Sequence, residues 1–185
     1  MKIKEIIVAA AELIGDDAAD GVKGYLEEGV EGGEALTKSL LRCFYLVEKQ
    51  LAEEYLPLKR EETVETDTGA VAYAALERKP LRIVKVTDEW GTSLRFSTHA
   101  DYIKAQTGRL TITYTFAPDE KEIEAEAELH YAVTKRLCAY GVAAEYCLTA
   151  GLYEEAEVWE KKYKNGISAA YRQTPCKKIR GRNWQ

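Results

Sequence analysis

The N-terminal part of the chain has the apolar spacing of two helices. In residues 3–14 apolar side chains recur at i, i+3, i+4 and i+7, which predicts an amphipathic helix that ends at Gly15. A second helix is predicted over residues 34–55, because it carries one apolar face and Pro57 follows it. The acidic, glycine-rich segment between them, residues 16–33, predicts a loop with room for one short helical turn.

The period of the pattern changes between residues 61 and 116. Polar and apolar residues alternate there, and glycine-containing turns separate the runs. Four to six short strands are therefore predicted, and the short connections favour antiparallel pairing. The predicted strands are residues 62–66, 70–76, 81–87, 94–98 and 109–116.

The helical period returns after Pro118. A long helix is predicted from there to Gly151, and its acidic first turns suit the helix dipole. On such a helix the glutamates of residues 120–128 spread around the surface, so we expect them to face solvent or a partner rather than to form an acid/base pair. A last helix is predicted over residues 152–171, and Pro175 prevents its continuation.

This order of elements predicts an α+β fold. The N- and C-terminal helices, residues 1–58 and 118–172, are expected to form one discontinuous helical bundle. An antiparallel β lobe, residues 59–117, is inserted in it. Residues 173–185 are expected to form an extended basic C-terminal arm.

Candidate chemistry is sparse. The sequence contains no phosphate-binding glycine loop, nucleophile elbow or calcium loop, and its two histidines have no Cys or His at ligand spacing. The acidic segment 15–21 is interpreted as a solvated loop, and the four cysteines as free thiols, buried in most cases. We therefore expect no enzyme activity, no catalytic residues, no cofactor and no metal.

Hydropathy places the chain among globular proteins. It is 46% hydrophobic and 31% charged, and no apolar run approaches the roughly 20 residues of a membrane helix. The apolar N-terminus carries two glutamates at helical spacing, so we interpret it as a folded helix and expect a cytosolic origin rather than secretion.

Charge is distributed unevenly along the chain. The formal net charge is −5, but residues 1–170 carry −10, whereas residues 171–185 contain five basic and no acidic residues. Trp and Arg are enriched at binding hot spots, so we expect this arm to bind a partner rather than remain a free terminus. Its candidate contact residues are Arg172, Lys177, Lys178, Ile179, Arg180, Arg182 and Trp184.

The layout as a whole resembles a viral assembly component. A strand exit from Gly108 to Pro118, an alanine-rich segment at 127–151, a helix at 152–172 and an extended arm follow in that order. Together with the N-terminal helical pair and the β insertion, they resemble tailed-bacteriophage head-to-tail adaptor (connector) proteins of the podovirus tail tubular protein A type. The resemblance covers nearly the whole chain.

The resemblance implies a structural virion protein. Such proteins form oligomeric rings, commonly of twelve copies, that join the portal to the tail and prolong the DNA channel. It implies a portal protein and tail or nozzle proteins as partners, with genome DNA passing through the lumen without sequence-specific binding and no membrane contact. The arm would contact the portal, and the location would be the head-tail interface of the virion, after a period in the host cytoplasm.

Two alternatives stay open at the level of sequence. The first is another head- or tail-completion ring protein. The second is a cytosolic regulatory or ligand-binding module that uses the β lobe as its pocket.

Overall fold

The chain folds as an α+β protein, as predicted from its sequence. The computed structural model describes residues 1–173. Within that range there are five α-helices and six β-strands. The helices are α1 (Ile3–Ile14), α2 (Asp16–Glu28), α3 (Glu34–Gln50), α4 (Lys135–Thr149) and α5 (Tyr153–Gln173). The strands are β1 (Leu58–Thr66), β2 (Ala70–Ala72), β3 (Pro80–Thr87), β4 (Ser97–Thr98), β5 (Tyr102–Lys104) and β6 (Gly108–Phe116).

The described chain forms two compact units. One contains Ile3–Phe44 and the chain from Tyr131 onward; the other contains Tyr45–His130 together with Lys2, which forms an antiparallel bridge with Glu126. The helical unit is discontinuous in sequence. Its divisions lie at 44/45 and 130/131, whereas the sequence placed them at 58/59 and 117/118.

In the helical unit, α1 packs against α2 and α4. Ile3, Ile6, Ile7 and Ala10 of its apolar stripe are buried, as the i, i+3, i+4 spacing predicts, and the stripe is half-buried at its end, at Leu13 and Ile14. Helix α4 begins at a capped end, where the Thr134 hydroxyl accepts a hydrogen bond from the Leu137 amide at 3.2 Å. Helix α5 lies beside α4 and buries a stripe of Ala156, Tyr163, Ile167 and Ala170.

Residues 16–28 form a helix, so the predicted loop was wrong. Asp16 and Asp17 occupy its first turn, where negative charge is favourable, and Ala19 and Val22 are buried. Gly29 ends the helix in the left-handed conformation with φ 70°, and its amide bonds back to the Tyr25 carbonyl at 3.1 Å. The glycines that predicted a loop therefore end the helix or allow it to pack closely.

The second predicted helix is confirmed to Tyr55. α3 runs to Gln50 and continues as a π-helical turn over Leu51–Tyr55. The predicted final helix is likewise confirmed, as α5.

The β unit contains two three-stranded antiparallel sheets, in the orders β1-β6-β3 and β2-β5-β4. Alternate residues of β6 point into the apolar core of this unit, which contains Leu110, Ile112, Tyr114 and Phe116. The predicted strands are present, but residues 73–75 form a 3-10 turn and the predicted strand at 94–98 shrinks to Ser97–Thr98. Strand β5 was not foreseen from the sequence.

The predicted long helix after Pro118 begins 17 residues later, at Lys135. Residues 117–134 instead follow an irregular path with turns at residues 123–125 and 131–132, and the odd-numbered residues between 121 and 127 are less exposed than the glutamates between them. Tertiary contacts described below hold this acidic segment in place, and they override its helix propensity. The glutamates of residues 120–128 are therefore not on a helix.

Gly33 lies in close contact with the backbone of Gly21, and this contact gives the first testable prediction. A Cβ atom at Gly33 would overlap the carbonyl oxygen of Gly21 in α2 and lie 2.6 Å from its carbonyl carbon. Backbone cannot move aside as a side-chain end can, so Gly33→Ala should destabilise the helical unit by roughly 2 kcal/mol. For a chain of this size that lowers the melting temperature by roughly 4–8 °C.

Gly32→Ala is the matched control, because a Cβ there meets nothing within 4 Å. Thermal unfolding followed by circular dichroism compares the two variants. Equal melting temperatures for Gly33→Ala and Gly32→Ala would contradict the close approach.

Candidate interaction surfaces and the buried charge network

Of the predicted contact residues of the arm, the structure describes Arg172 alone. It lies exposed in the last turn of α5, where a cation is favourable. The other six lie outside the described residues: Lys177, Lys178, Ile179, Arg180, Arg182 and Trp184.

Three cysteines lie within the described chain, and all are buried free thiols. They are Cys43, Cys138 and Cys147. Burial, with a smaller contribution from Glu145, raises the pKa of Cys43 to about 11, so this thiol stays protonated at neutral pH.

Within residues 1–173 neither a metal cluster nor a membrane-spanning helix is present. That range holds no group of three or more His, Cys, Asp or Glu side chains arranged to bind a metal ion. None of its helices combines the length and apolarity that a membrane crossing requires.

Arg78 is the centre of a charge network in the β unit. Its guanidinium forms ion pairs with the carboxylates of Asp119 and Glu128, the latter at 3.0 Å, and lies 5.6 Å from the ring centre of Phe116. Its backbone amide donates a hydrogen bond to the hydroxyl of Tyr114 at 3.3 Å. Arg78 thus connects the turn before β3 with the segment that follows β6.

Glu48 is a buried carboxylate at the edge of this network. Glu48 is 3% exposed, and its Oε1 accepts a hydrogen bond from the Glu128 amide at 2.7 Å. Burial raises the pKa of Glu48 to about 7; the bond from Glu128 and the nearby Lys121 counteract the rise, and the Glu128 charge adds to it. A second contact holds the acidic segment 117–134: the Tyr45 hydroxyl donates a hydrogen bond to the Lys121 carbonyl at 2.5 Å.

A second buried polar group lies at the other side of Arg78. The Tyr114 hydroxyl donates a short hydrogen bond to Glu62, whose other oxygen accepts from the Glu77 amide at 3.0 Å. Burial, and then this bond, raises the pKa of Tyr114 to about 12. These contacts connect buried charges to backbone amides rather than to an open pocket, which is typical of a structural network.

Strand β3 exposes apolar side chains where its pairing slips. Residues on either side of Leu81 and Val84 pair with consecutive residues of β6, so these two residues are bulges without a partner. They are 49% and 44% exposed. Both line a groove of about 580 Å³, together with Pro57, Lys59 and Arg82. We call Lys59, Leu81, Arg82, Val84 and Lys85 the bulge surface.

Trp90 lies on the loop that follows β3 and is 81% exposed. The loop is tightly built: one oxygen of the Asp88 carboxylate accepts from the amides of Trp90 at 3.0 Å and Thr92 at 2.7 Å. Gly91 adopts φ 79°, a conformation that other residues rarely take. A large apolar side chain is therefore held out in solvent by an ordered turn.

A third exposed surface lies where α4 meets α5. Its apolar members are Leu148, Leu152, Tyr153 and Val158, of which Tyr153 is 71% exposed. Exposed carboxylates accompany them at Glu154, Glu155 and Glu157. We call these seven residues the α4–α5 corner.

The sequence contained a signal for one of these surfaces. A tryptophan in a glycine turn between two strands indicates a side chain with little room for burial. The bulges left no comparable signal, because residues 81–87 alternate well enough to predict an ordinary strand.

The second prediction uses the pKa of Glu48. Because burial raises it, the folded state holds a proton that the unfolded chain releases above about pH 4.5. The contribution of this group to the free energy of unfolding is therefore fully present below about pH 4.5 and is lost as pH rises through about 7. The total loss is at most roughly 3 kcal/mol.

Glu48→Gln keeps the acceptor oxygen and removes this titration. Relative to wild type, the variant should become progressively more stable between pH 4.5 and 8, measured by urea unfolding at several pH values. Glu65→Gln, at an exposed carboxylate of β1, is the control and should follow wild type throughout. Parallel curves for wild type and Glu48→Gln would contradict the raised pKa.

Comparison with known proteins adds no relative. The chain matched no protein-family model, and a search of curated proteins gave no match.

Proposed function

We propose that this protein is a non-enzymatic structural component of a tailed-phage virion. Copies of it form a ring, of about twelve subunits by the resemblance given above, that joins the portal to the tail and prolongs the DNA channel. The ring lies at the head-tail interface, and its subunits reside in the host cytoplasm before assembly.

The observation that carries this proposal is exposed apolar surface on ordered residues of both units. Trp90, Leu81 and Val84 lie on the β unit, and the α4–α5 corner lies on the helical unit. Ordered apolar groups in solvent favour partners, and surfaces on two separate units fit a subunit that meets more than one neighbour.

Charge supports the same proposal. Residues 1–170 carry a net charge of −10, and a negatively charged channel wall does not hold DNA by counterion release. The basic stretch from residue 171 to 185 has the opposite sign, which suits attachment of the C-terminal arm to an acidic surface of the portal.

The third prediction tests attachment to the portal. The full chain should co-elute with portal rings from the same genome at physiological salt. Deleting residues 175–185 should weaken this attachment at least tenfold, while the melting temperature stays that of wild type. If the deleted variant binds with wild-type affinity, the arm is not part of the interface. If portal rings do not retain the full chain, the proposed function is overturned.

Two further variants separate apolar from ionic contributions of the arm. Neutralising Lys177, Lys178, Arg180 and Arg182 should weaken binding mainly at low salt, since exposed ion pairs contribute about 0.2–1 kcal/mol each and are screened. Trp184→Ala should weaken binding at every salt concentration, by roughly 2 kcal/mol, because an indole side chain that fills a pocket makes apolar contacts.

The fourth prediction concerns Trp90. On the proposed function the β unit faces the tail, so Trp90→Ala should reduce the recruitment of tail or nozzle protein to adaptor-loaded portals by about tenfold or more. Portal attachment itself should be unchanged. Glu89→Ala, on the same exposed loop, is the matched control. Equal recruitment by both variants would exclude Trp90 from the tail interface.

A further inference from the structure

The bulge surface carries cations that the protein leaves available. Lys59, Arg82 and Lys85 are exposed, and within residues 1–173 none of the three forms an ion pair. Leu81 and Val84 alternate with Arg82 and Lys85 on β3, whereas Lys59 lies on β1; Glu53 lines the groove, and the exposed Glu61 of β1 lies in the same cross-strand row as Lys85. The surface therefore combines two exposed apolar side chains with three cations that form no ion pair within residues 1–173.

The shape of this surface follows from the two bulges. A regular strand would direct alternate residues into the core and leave a flat, polar outer edge. Here the unpaired residues Leu81 and Val84 turn their side chains toward solvent at a spacing of three, which produces two projections beside the groove. Such an edge suits recognition by side chains more than addition of another strand.

The α4–α5 corner has the complementary composition. Tyr153 and Val158 supply its exposed apolar area on α5, and Leu148 and Leu152 extend it into the turn. Among residues 1–173, Glu154 and Glu157 form no ion pair, unlike Glu160, which binds Lys164 at 2.6 Å. The corner thus combines exposed apolar side chains with three exposed carboxylates, and the exposed Lys161 and Lys162 follow one turn further along α5.

The corner is also well ordered. Gly151 adopts φ 78° at the end of α4, and the Leu152 amide donates to the Cys147 carbonyl at 2.8 Å. The Ala156 amide then donates to the Leu152 carbonyl at 3.0 Å, which fixes the first turn of α5. Two ordered surfaces lose little conformational entropy when they associate.

We propose that the bulge surface of one copy binds the α4–α5 corner of the next copy. This inference rests on the proposed ring and names the surfaces through which its subunits meet. Apolar projections of β3 contact Tyr153 and Val158, while Arg82 and Lys85 face Glu154 and Glu157. The two patches differ, so the contact is heterologous, which is the type of interface that closes into a ring.

A cysteine pair tests the contact directly. Val84→Cys is placed in one batch of protein and Val158→Cys in another, both in a Cys176→Ser background. After mixing and assembly on portal rings, mild oxidation should give a disulfide-linked dimer in the mixed sample. Either batch alone should give none, and absence of the dimer from mixed, assembled rings would overturn the proposed contact.

Charge reversal tests the same contact by a second route. Arg82→Glu with Lys85→Glu should lower the assembled fraction at least tenfold at low salt, and Glu154→Lys with Glu157→Lys in the same chain should restore it. Lys104→Glu with Arg109→Glu, two exposed cations elsewhere on the β unit, is the matched control and should assemble like wild type. Normal assembly of the first variant, or failure of the second pair to restore it, contradicts the proposal.

The two hypotheses fail separately. Rings that assemble on the portal without the 84–158 disulfide would leave the proposed function standing and overturn the contact. Wild-type protein that no portal retains would overturn the proposed function. The contact is then judged in the free mixture at high concentration, where absence of the disulfide overturns it as well.

Discussion

The ion pairs of Arg78 with Asp119 and Glu128 are the constraint on which the β unit depends. They hold the chain that leaves β6 against the turn that precedes β3, so the ends of the sheet and the acidic segment form one polar network. Glu48 completes this network by accepting a hydrogen bond from the backbone amide of Glu128. Arg78 and Glu128 are partly buried, so removal of the arginine would leave their neighbouring carboxylates close together with Lys121 as the cation that pairs with Glu128.

The sequence could predict the parts of the fold that depend on their own apolar pattern, and it could not predict the segment that these distant ion pairs hold in place. α1 and α3 and the alternating strand β6 follow from their patterns, because each buries one face and the period of apolar residues reports that face directly. Residues 117–134 depend instead on partners that are distant in sequence: Arg78, Tyr45 and Glu48. Glutamate alternates there with Ile123, Ala125 and Ala127, and exposure alternates with it, but the turn at residues 123–125 could not be read from that pattern.

The exposed apolar surfaces were predictable to different degrees. The exposed tryptophan of the Asp88 turn could be expected from its place in a glycine turn, whereas the outward orientation of Leu81 depends on its register against β6. Register is a property of two strands together, and one strand's sequence does not contain it. The portal contact of the arm was proposed from composition alone, and apart from Arg172 its residues lie outside the described part of the chain.

The slipped register of β3 also bears on aggregation. A long, regular edge strand offers a row of free amides and carbonyls to any other strand, and newly made chains at high concentration can then aggregate through their backbones. Two bulges, an initial proline and two cations interrupt that row in β3. The same irregularity that exposes apolar side chains therefore makes β3 a poor template for pairing with another strand.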